Sequence, residues 1–167
     1  MSTINIADFD GTITTNSDKV YRELFGIHPE EDPKTAVLRG IGSINNNSDL
    51  DKYLSKVKKD LKYRKELIKY LKNRNPVYII SDNPFADKLI PSELNPVGVY
   101  STIIPEIVGG RFTGRTLEES TKVDIMKKQL PEPNGNKINF HTDGGPSDEE
   151  LIKYLWKNYK NVKVIRY

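Results

Sequence analysis

Short runs of apolar residues alternate along this chain with longer segments in which apolar residues recur every three or four positions. The short runs have the length and the bounding turn residues of buried β-strands. They include residues 4–7 and 77–80, and strands are also predicted over residues 97–104, 137–141 and 162–165. Strands that alternate with helices predict a parallel sheet covered by helices on both faces. We therefore expect an α/β protein.

The helical pattern is clearest after residue 47, where Leu50, Leu54, Val57 and Leu61 recur at helical spacing. The apolar stripe lapses and resumes over residues 67–71, which predicts a second helix that ends before an Asn-Pro pair. A shorter helix is expected around residues 20–25. The other face of the first helix carries Lys52, Lys56, Lys58, Lys59 and Lys62. Such a run is typical of a solvated helix face, and an anionic-ligand patch is the alternative.

Turn-forming residues predict the remaining elements. Residues 41–48 are rich in Gly, Asn and Ser and predict a loop, and a Gly-Gly pair within residues 107–115 predicts a β-hairpin. Thr121 is expected to cap a helix that runs to residue 130. Ser147 is expected to cap the next helix, with Glu150 in the capping-box position.

Composition limits the functional classes. The chain has 167 residues, a net charge of +3 and no cysteine, so disulfides and thiolate chemistry are excluded. The length suits one well-packed core with a small inserted subdomain. The charge is too small to indicate nucleic-acid binding. Because the sequence shows neither a membrane-spanning run nor a signal peptide, we expect a cytoplasmic protein with no membrane partner.

Polar side chains follow three of the predicted strands. Asp8 and Asp10 come after the first strand, Ser81 ends the second, and Asp143 and Asp148 follow the fourth. The carboxyl ends of parallel strands share one edge of the sheet, where such folds bind their ligands. Clustered carboxylates repel one another unless a cation lies between them, and Mg²⁺ prefers oxygen ligands. The sequence therefore predicts a magnesium site at this edge.

These segments resemble the motifs of the haloacid dehalogenase (HAD) superfamily, and in particular its phosphoserine-phosphatase-like branch. The first motif, Asp-x-Asp-Gly-Thr, stands intact at residues 8–12, and the strand that ends in Ser81 matches the second. Lys122 best matches the lysine of the third motif. Asp143 and Asp148 match the paired acids of the fourth. The chain departs from the pattern at Thr142, where a glycine is usual, and at residues 82–83, Asp-Asn, where phosphoserine phosphatases commonly have glycines.

The resemblance implies a role for each matched residue. Asp8 is the expected nucleophile and forms an aspartyl-phosphate, while Asp10 protonates the leaving oxygen and then activates water. Mg²⁺ is expected on Asp8, the Asp10 carbonyl and Asp143. Ser81 and Lys122 bind the phosphoryl group, and Asp148 supports the metal or Lys122. Taken singly, Ser81 is also compatible with a helix cap, Lys122 with a surface lysine, and Asp148 with a helix-start acid.

The resemblance also implies a domain plan and a function. We expect a Rossmann-like HAD core formed by residues 1–13 and 75–167, with residues 14–74 forming a small helical cap and the helix that leads into the second strand. The expected function is that of a Mg²⁺-dependent phosphomonoesterase for a small soluble phosphate ester. The alternatives are a phosphatase for nucleic-acid ends or a phosphoprotein, supported weakly by the lysine-rich helix, and a non-catalytic binding module with the same fold.

Overall fold

A computed structural model of the chain describes residues 2–44, 47–109, 111–130 and 136–167, without the side chains of residues 33–37 and 47–49. Its centre is a five-stranded parallel sheet in the order β3-β2-β1-β6-β7. These strands are β1 (Thr3–Ala7), β2 (Val77–Ser81), β3 (Gly98–Ser101), β6 (Lys137–Thr142) and β7 (Val162–Arg166). A separate antiparallel pair consists of β4 (Ile103–Val108) and β5 (Arg111–Glu119). The predicted α/β fold class is confirmed.

Seven helices among the described residues surround the sheet. They are α1 (Ser17–Phe25), α2 (Pro33–Ser43), α3 (Asn47–Asp60), α4 (Lys65–Lys72), α5 (Ala86–Leu89), α6 (Lys122–Gln129) and α7 (Pro146–Asn158). In the described part of the chain, none of them combines the length and apolar character needed to cross a membrane.

The sheet buries apolar side chains on both of its faces, because successive residues of a strand point to opposite sides. On one face, Ala7 and Ile79 belong to a core that includes Leu67 and Leu71 of α4. On the other face, Ile6 and Phe140 belong to a second core, built with side chains from α6 and α7. Central β1 pairs with β2 and β6, so its carboxyl end lies in the middle of the sheet edge.

Two of the predicted boundaries are wrong. The loop expected over residues 41–48 is largely helical, since α2 runs to Ser43 and α3 begins at Asn47; residues 45–46 lie outside the described residues. Buried Ile41 and Ile44 belong to the core, so packing overrides the weak helix propensity of Gly42. The strand expected over residues 97–104 is divided: β3 pairs with β2, and the chain then leaves the sheet to form β4.

The predicted hairpin is present and is longer than expected. β4 and β5 pair in antiparallel register from Ile103–Glu119 to Val108–Arg111. Gly109 has a positive φ of 56°, and Gly110 lies outside the described residues. After the hairpin the chain enters α6, whose N-cap Thr121 forms a full capping box with Asp124. The cap that was predicted for this helix is therefore confirmed, and it fixes the position of Lys122, the first residue of α6.

Candidate active site

A tight turn at residues 9–13 directs the chain out of β1 and brings Asp8 and Asp10 to the sheet edge. Gly11 has a φ of 73°, a conformation that side chains with a Cβ rarely adopt. A Cβ on Gly11 would lie 1.9 Å from Oδ2 of Asp143. The glycine is therefore required twice, for the turn itself and for the close approach of the Asp143 carboxylate.

Lys122 lies between two carboxylates at the centre of the site. Its Nζ donates to Oδ1 of Asp8 over 2.7 Å and to Oδ1 of Asp148 over 2.6 Å. All three residues are buried, with 3%, 4% and 1% exposure for Lys122, Asp8 and Asp148. Burial alone would lower the pKa of Lys122, but the attraction of Asp8 and Asp148 raises it overall. The lysine is therefore a permanent cation.

Thr142, the departure from the family pattern, has a clear structural role. Its hydroxyl donates to Oδ2 of Asp148 over 2.5 Å and accepts from the backbone N–H of Gly144 over 2.8 Å. Asp148 therefore has one oxygen on Lys122 and the other on Thr142. The threonine fixes the second acid of the motif and leaves the carboxylate of Asp143 outside this network.

Asp10 is held by residues from outside its own turn. The Tyr21 hydroxyl of α1 donates to Oδ1 of Asp10 over 3.2 Å. Burial raises the pKa of Asp10 to about 6, while hydrogen bonds from Ser17, Asn83 and Tyr21 act in the opposite direction. A carboxyl group with this pKa exchanges its proton near neutral pH, which suits general acid and base chemistry.

The oxygen atoms at the sheet edge fit a divalent cation. Among the described residues, Asp8, Asp143 and Asp148 each offer an oxygen within 4.8 Å of the others. Burial raises the pKa of both Asp8 and Asp143 above the ordinary value of 3.8, and Asp148 raises each further. The single positive charge of Lys122 does not balance the charge of three carboxylates. A hard divalent cation such as Mg²⁺ favours oxygen ligands of this kind. This set shares Asp8 and Asp143 with the predicted ligands, whereas the side chain of Asp10 lies outside it.

A cavity of about 320 Å³ opens above these groups. Its lining consists of Asp8, Asp10, Gly11, Ser17, Asp18, Tyr21, Asp82, Lys122, Asp143, Gly145, Pro146, Ser147 and Asp148. Five of the six predicted site residues are therefore brought together. Ser81, the sixth, is fully buried behind the cavity lining, and its Oγ accepts from the backbone N–H of Asn83 over 3.0 Å.

Asp82 connects three segments around this cavity. Its Oδ1 accepts from the Thr102 hydroxyl over 2.6 Å, and its Oδ2 accepts from the Ser147 hydroxyl over 2.7 Å. The cap predicted for Ser147 is wrong: α7 begins at Pro146 with Gly145 as its N-cap, so Ser147 lies inside the helix. The signal was available in the sequence, because proline favours the first position of a helix.

His141 lies outside the cavity lining, at the end of β6. Its Nδ1 is 2.9 Å from the Tyr167 hydroxyl, and the residue is 1% exposed. Burial lowers its pKa to about 4, so the ring is neutral at pH 7. The structure thus shows a buried histidine near the end of a strand.

The comparisons with known proteins identify the fold. No family model matches the chain, and no curated protein sequence matches it. A substrate-bound phosphoserine phosphatase is similar in structure, with a TM-score of 0.59 and 15% identity over 97% of this chain and 92% of that one. A phosphoserine phosphatase described as a phospho-aspartyl intermediate analogue gives a TM-score of 0.51 and 15% identity over 99% and 94%. A HAD family hydrolase from Salmonella enterica serovar Typhi gives a TM-score of 0.58 and 16% identity, over 91% of this chain and 60% of that one.

These likenesses confirm the predicted fold, which is the fold of the phosphoserine phosphatase and HAD hydrolase structures. At this identity they carry the architecture alone.

Proposed function

We propose that the protein is a Mg²⁺-dependent phosphomonoesterase that acts on small phosphate esters through an aspartyl-phosphate on Asp8. One observation carries the proposal: Asp8, at the end of the central strand, receives a hydrogen bond from buried Lys122 within a cavity that also contains Asp10 and Asp143. A nucleophile, a cation and an acid/base are the groups that phosphoryl transfer requires. The phospho-aspartyl analogue of a structurally similar phosphatase is consistent with this assignment.

In the proposed reaction a carboxylate oxygen of Asp8 attacks phosphorus as the ester P–O bond breaks. Lys122 holds Oδ1 of Asp8 and neutralises charge on the transferring group. The proton of Asp10 passes to the leaving oxygen. Asp10 then accepts a proton from the water that attacks phosphorus, which releases phosphate and restores Asp8.

Mg²⁺ bound by Asp8, Asp143 and the backbone carbonyl of Asp10 would screen the repulsion between a carboxylate and a phosphate dianion. Asp148 has both oxygens engaged, by Lys122 and Thr142, which supports a role in orienting Lys122 instead of direct ligation. Ser81 would donate to a phosphoryl oxygen once its hydroxyl is exposed to the cavity.

The cavity supports a small substrate. Its volume of about 320 Å³ is near the lower end of the range for small-molecule sites. The exposed lysines of α3 lie outside the cavity lining, so they offer no continuous path for a polymer into the site. The complete set of acids also favours an enzyme over a non-catalytic module.

The lining also argues against simple transfer of phosphoserine specificity. Lys122 is the single cation among the described lining residues, and it is already bound to two carboxylates. Asp82 adds a further carboxylate to the lining, whereas the carboxylate of Asp18 is paired with Arg22. A carboxylate on the leaving group would therefore lack a partner among these residues, and we propose a leaving group without one.

We further propose that residues 14–74 contain the cap and the helix that leads into β2. Ser17, Asp18 and Tyr21 of α1 contribute to the cavity lining, as expected of a segment that covers the site. Leu67, Ile68 and Leu71 of α4 belong to the core beneath the sheet, which supports the assignment of α4 as the lead-in helix.

The test is a hydrolysis screen of small phosphate esters with Mg²⁺ and with EDTA. We expect Mg²⁺-dependent release of phosphate by the wild-type protein and loss of turnover by several orders of magnitude in Asp8→Asn. Asp18→Asn is the matched control, because Asp18 lies at the cavity but is paired with Arg22 over 2.9 Å. Full activity in EDTA, or normal turnover by Asp8→Asn, would contradict the proposal.

A further inference from the structure

Two side chains distant in sequence converge on the acid/base candidate. Tyr21, on α1, donates to Oδ1 of Asp10 over 3.2 Å. Asn83, in the loop after β2, donates from Nδ2 to the Tyr21 hydroxyl oxygen. Tyr21 is 5% exposed and Asn83 is 1% exposed. Bulk water therefore has little access with which to replace either hydrogen bond.

The direction of these hydrogen bonds follows from the orientation of the Asn83 amide. Its Oδ1 accepts from the backbone N–H of Phe85 over 2.9 Å, so its Nδ2 is the group that faces Tyr21. A phenol has one proton, and its oxygen can accept at the same time. Because Asn83 donates to the oxygen, the single proton of Tyr21 is available to Asp10.

We propose that Tyr21 and Asn83 form a positioning pair that holds one oxygen of Asp10 and keeps the carboxyl group in one orientation toward the cavity. This inference rests on the proposed function, in which Asp10 transfers protons. It goes beyond that function because it assigns the control of Asp10 to α1 and to the loop after β2. Asn83, which stands where phosphoserine phosphatases commonly have a glycine, thereby gains a role in the site.

The first test uses two esters that differ in their need for a proton. An alkoxide leaving group requires protonation as the P–O bond breaks, whereas para-nitrophenolate leaves without it. In Tyr21→Phe we expect kcat/KM for glycerol 2-phosphate to fall by about 10-fold or more, and kcat/KM for para-nitrophenyl phosphate to change by less than about 3-fold. A merely structural defect would lower both values equally.

Tyr63→Phe is the matched control for this variant. It removes the same hydroxyl group from a half-buried tyrosine, and with it a hydrogen bond of 2.7 Å to the carbonyl of Leu89. Tyr63 lies outside the cavity lining, so both esters should keep their wild-type kcat/KM. Equal losses for the two esters in Tyr21→Phe, or no loss for either, would overturn the positioning role.

Asn83→Asp tests the second member of the pair. The substitution keeps the acceptor for Phe85 and replaces the amide donor with an acceptor, which draws the Tyr21 proton away from Asp10. We expect the same selective loss of alkyl phosphate hydrolysis. Retention of wild-type kcat/KM for glycerol 2-phosphate by the folded variant would show that Asn83 has no part in positioning.

A double-mutant cycle examines the same contact without any substrate. Urea midpoints are measured for Tyr21→Phe, Asp10→Ala and the double variant. We expect the two losses to be non-additive, because either substitution removes the same hydrogen bond. Additive losses would overturn the pair. Non-additive losses, together with a wild-type protein that hydrolyses no ester, would uphold the contact and reject the proposed function alone.

Discussion

Lys122→Met provides the most direct test of the charge arrangement at the site. Lys122 is the cation between Asp8 and Asp148, and all three residues are less than 5% exposed. Removing one partner from a buried ion pair typically costs about 3–5 kcal/mol, because the remaining charge is left uncompensated. We therefore expect the free energy of unfolding to fall by about 3–5 kcal/mol at pH 8. That loss is a large share of the about 5–15 kcal/mol of a typical domain.

The pH dependence of this loss has a defined sign. Burial already raises the pKa of Asp8 above its ordinary 3.8, and Lys122 is a main opposing influence. Without the lysine the folded state binds more protons than the unfolded chain above about pH 4, so stability decreases as pH rises. The deficit of Lys122→Met should therefore be smaller at pH 5 than at pH 8.

Urea unfolding at pH 5 and pH 8 measures both effects. Lys128→Met is the control, because Lys128 is exposed on the same helix, and it should change the free energy of unfolding by less than about 0.5 kcal/mol. Millimolar Mg²⁺ should restore part of the stability at pH 8, since a cation on Asp8 replaces the lost charge. A deficit below about 1 kcal/mol at pH 8, or one that grows on acidification, would show that Lys122 does not balance the charge of the two buried carboxylates.

Three further predictions concern other parts of the molecule. Gly11→Ala should abolish Mg²⁺ binding by calorimetry, because its Cβ would occupy the position of the Asp143 carboxylate; Gly26→Ala, at φ 61° with open space around it, should bind normally. His141, whose pKa burial lowers to about 4, should make wild-type stability fall by up to about 3 kcal/mol between pH 6.5 and pH 4, and His141→Asn should flatten that dependence in urea titrations. Finally, KM for small esters should depend only weakly on salt. A phosphorylated oligonucleotide preferred at low salt, with affinity that falls by about 10³-fold at moderate salt, would favour the nucleic-acid alternative.

The parts of the site that the sequence predicts are those fixed by topology. Asp8 and Asp143 follow strands β1 and β6, which pair in parallel, so their meeting follows from the strand pattern. The prediction of Lys122 as a site residue depends on the resemblance to the family motif, because nothing in the local sequence distinguishes a buried lysine at a helix start from an exposed one. Its position between two carboxylates is a long-range contact that no local pattern encodes.

The residues that sequence analysis missed depend on how separate segments dock. Tyr21 reaches Asn83 across 62 positions of sequence, and Ser147 reaches Asp82 across 65. Neither contact produces a periodic pattern of residues that sequence analysis could detect. The role of Thr142 was hidden for a different reason: its partner Asp148 is only six positions away, but the contact requires the turn at Gly144, whose φ is 89°.

The ion pair of Lys122 and Asp8 joins residues 114 positions apart, and this separation bears on how the protein is synthesised. β1 leaves the ribosome first, yet its two neighbours in the sheet are β2 and β6, which are made much later. Its apolar residues Ile4 and Ile6 belong to a core that also contains side chains of β6 and α7. They are therefore covered only after most of the chain has been made. Nascent chains that end before β2 would therefore expose an unpaired apolar strand, and chains that end before Lys122 would leave Asp8 without its cation. Chaperones that bind extended apolar segments should engage the shorter of these chains.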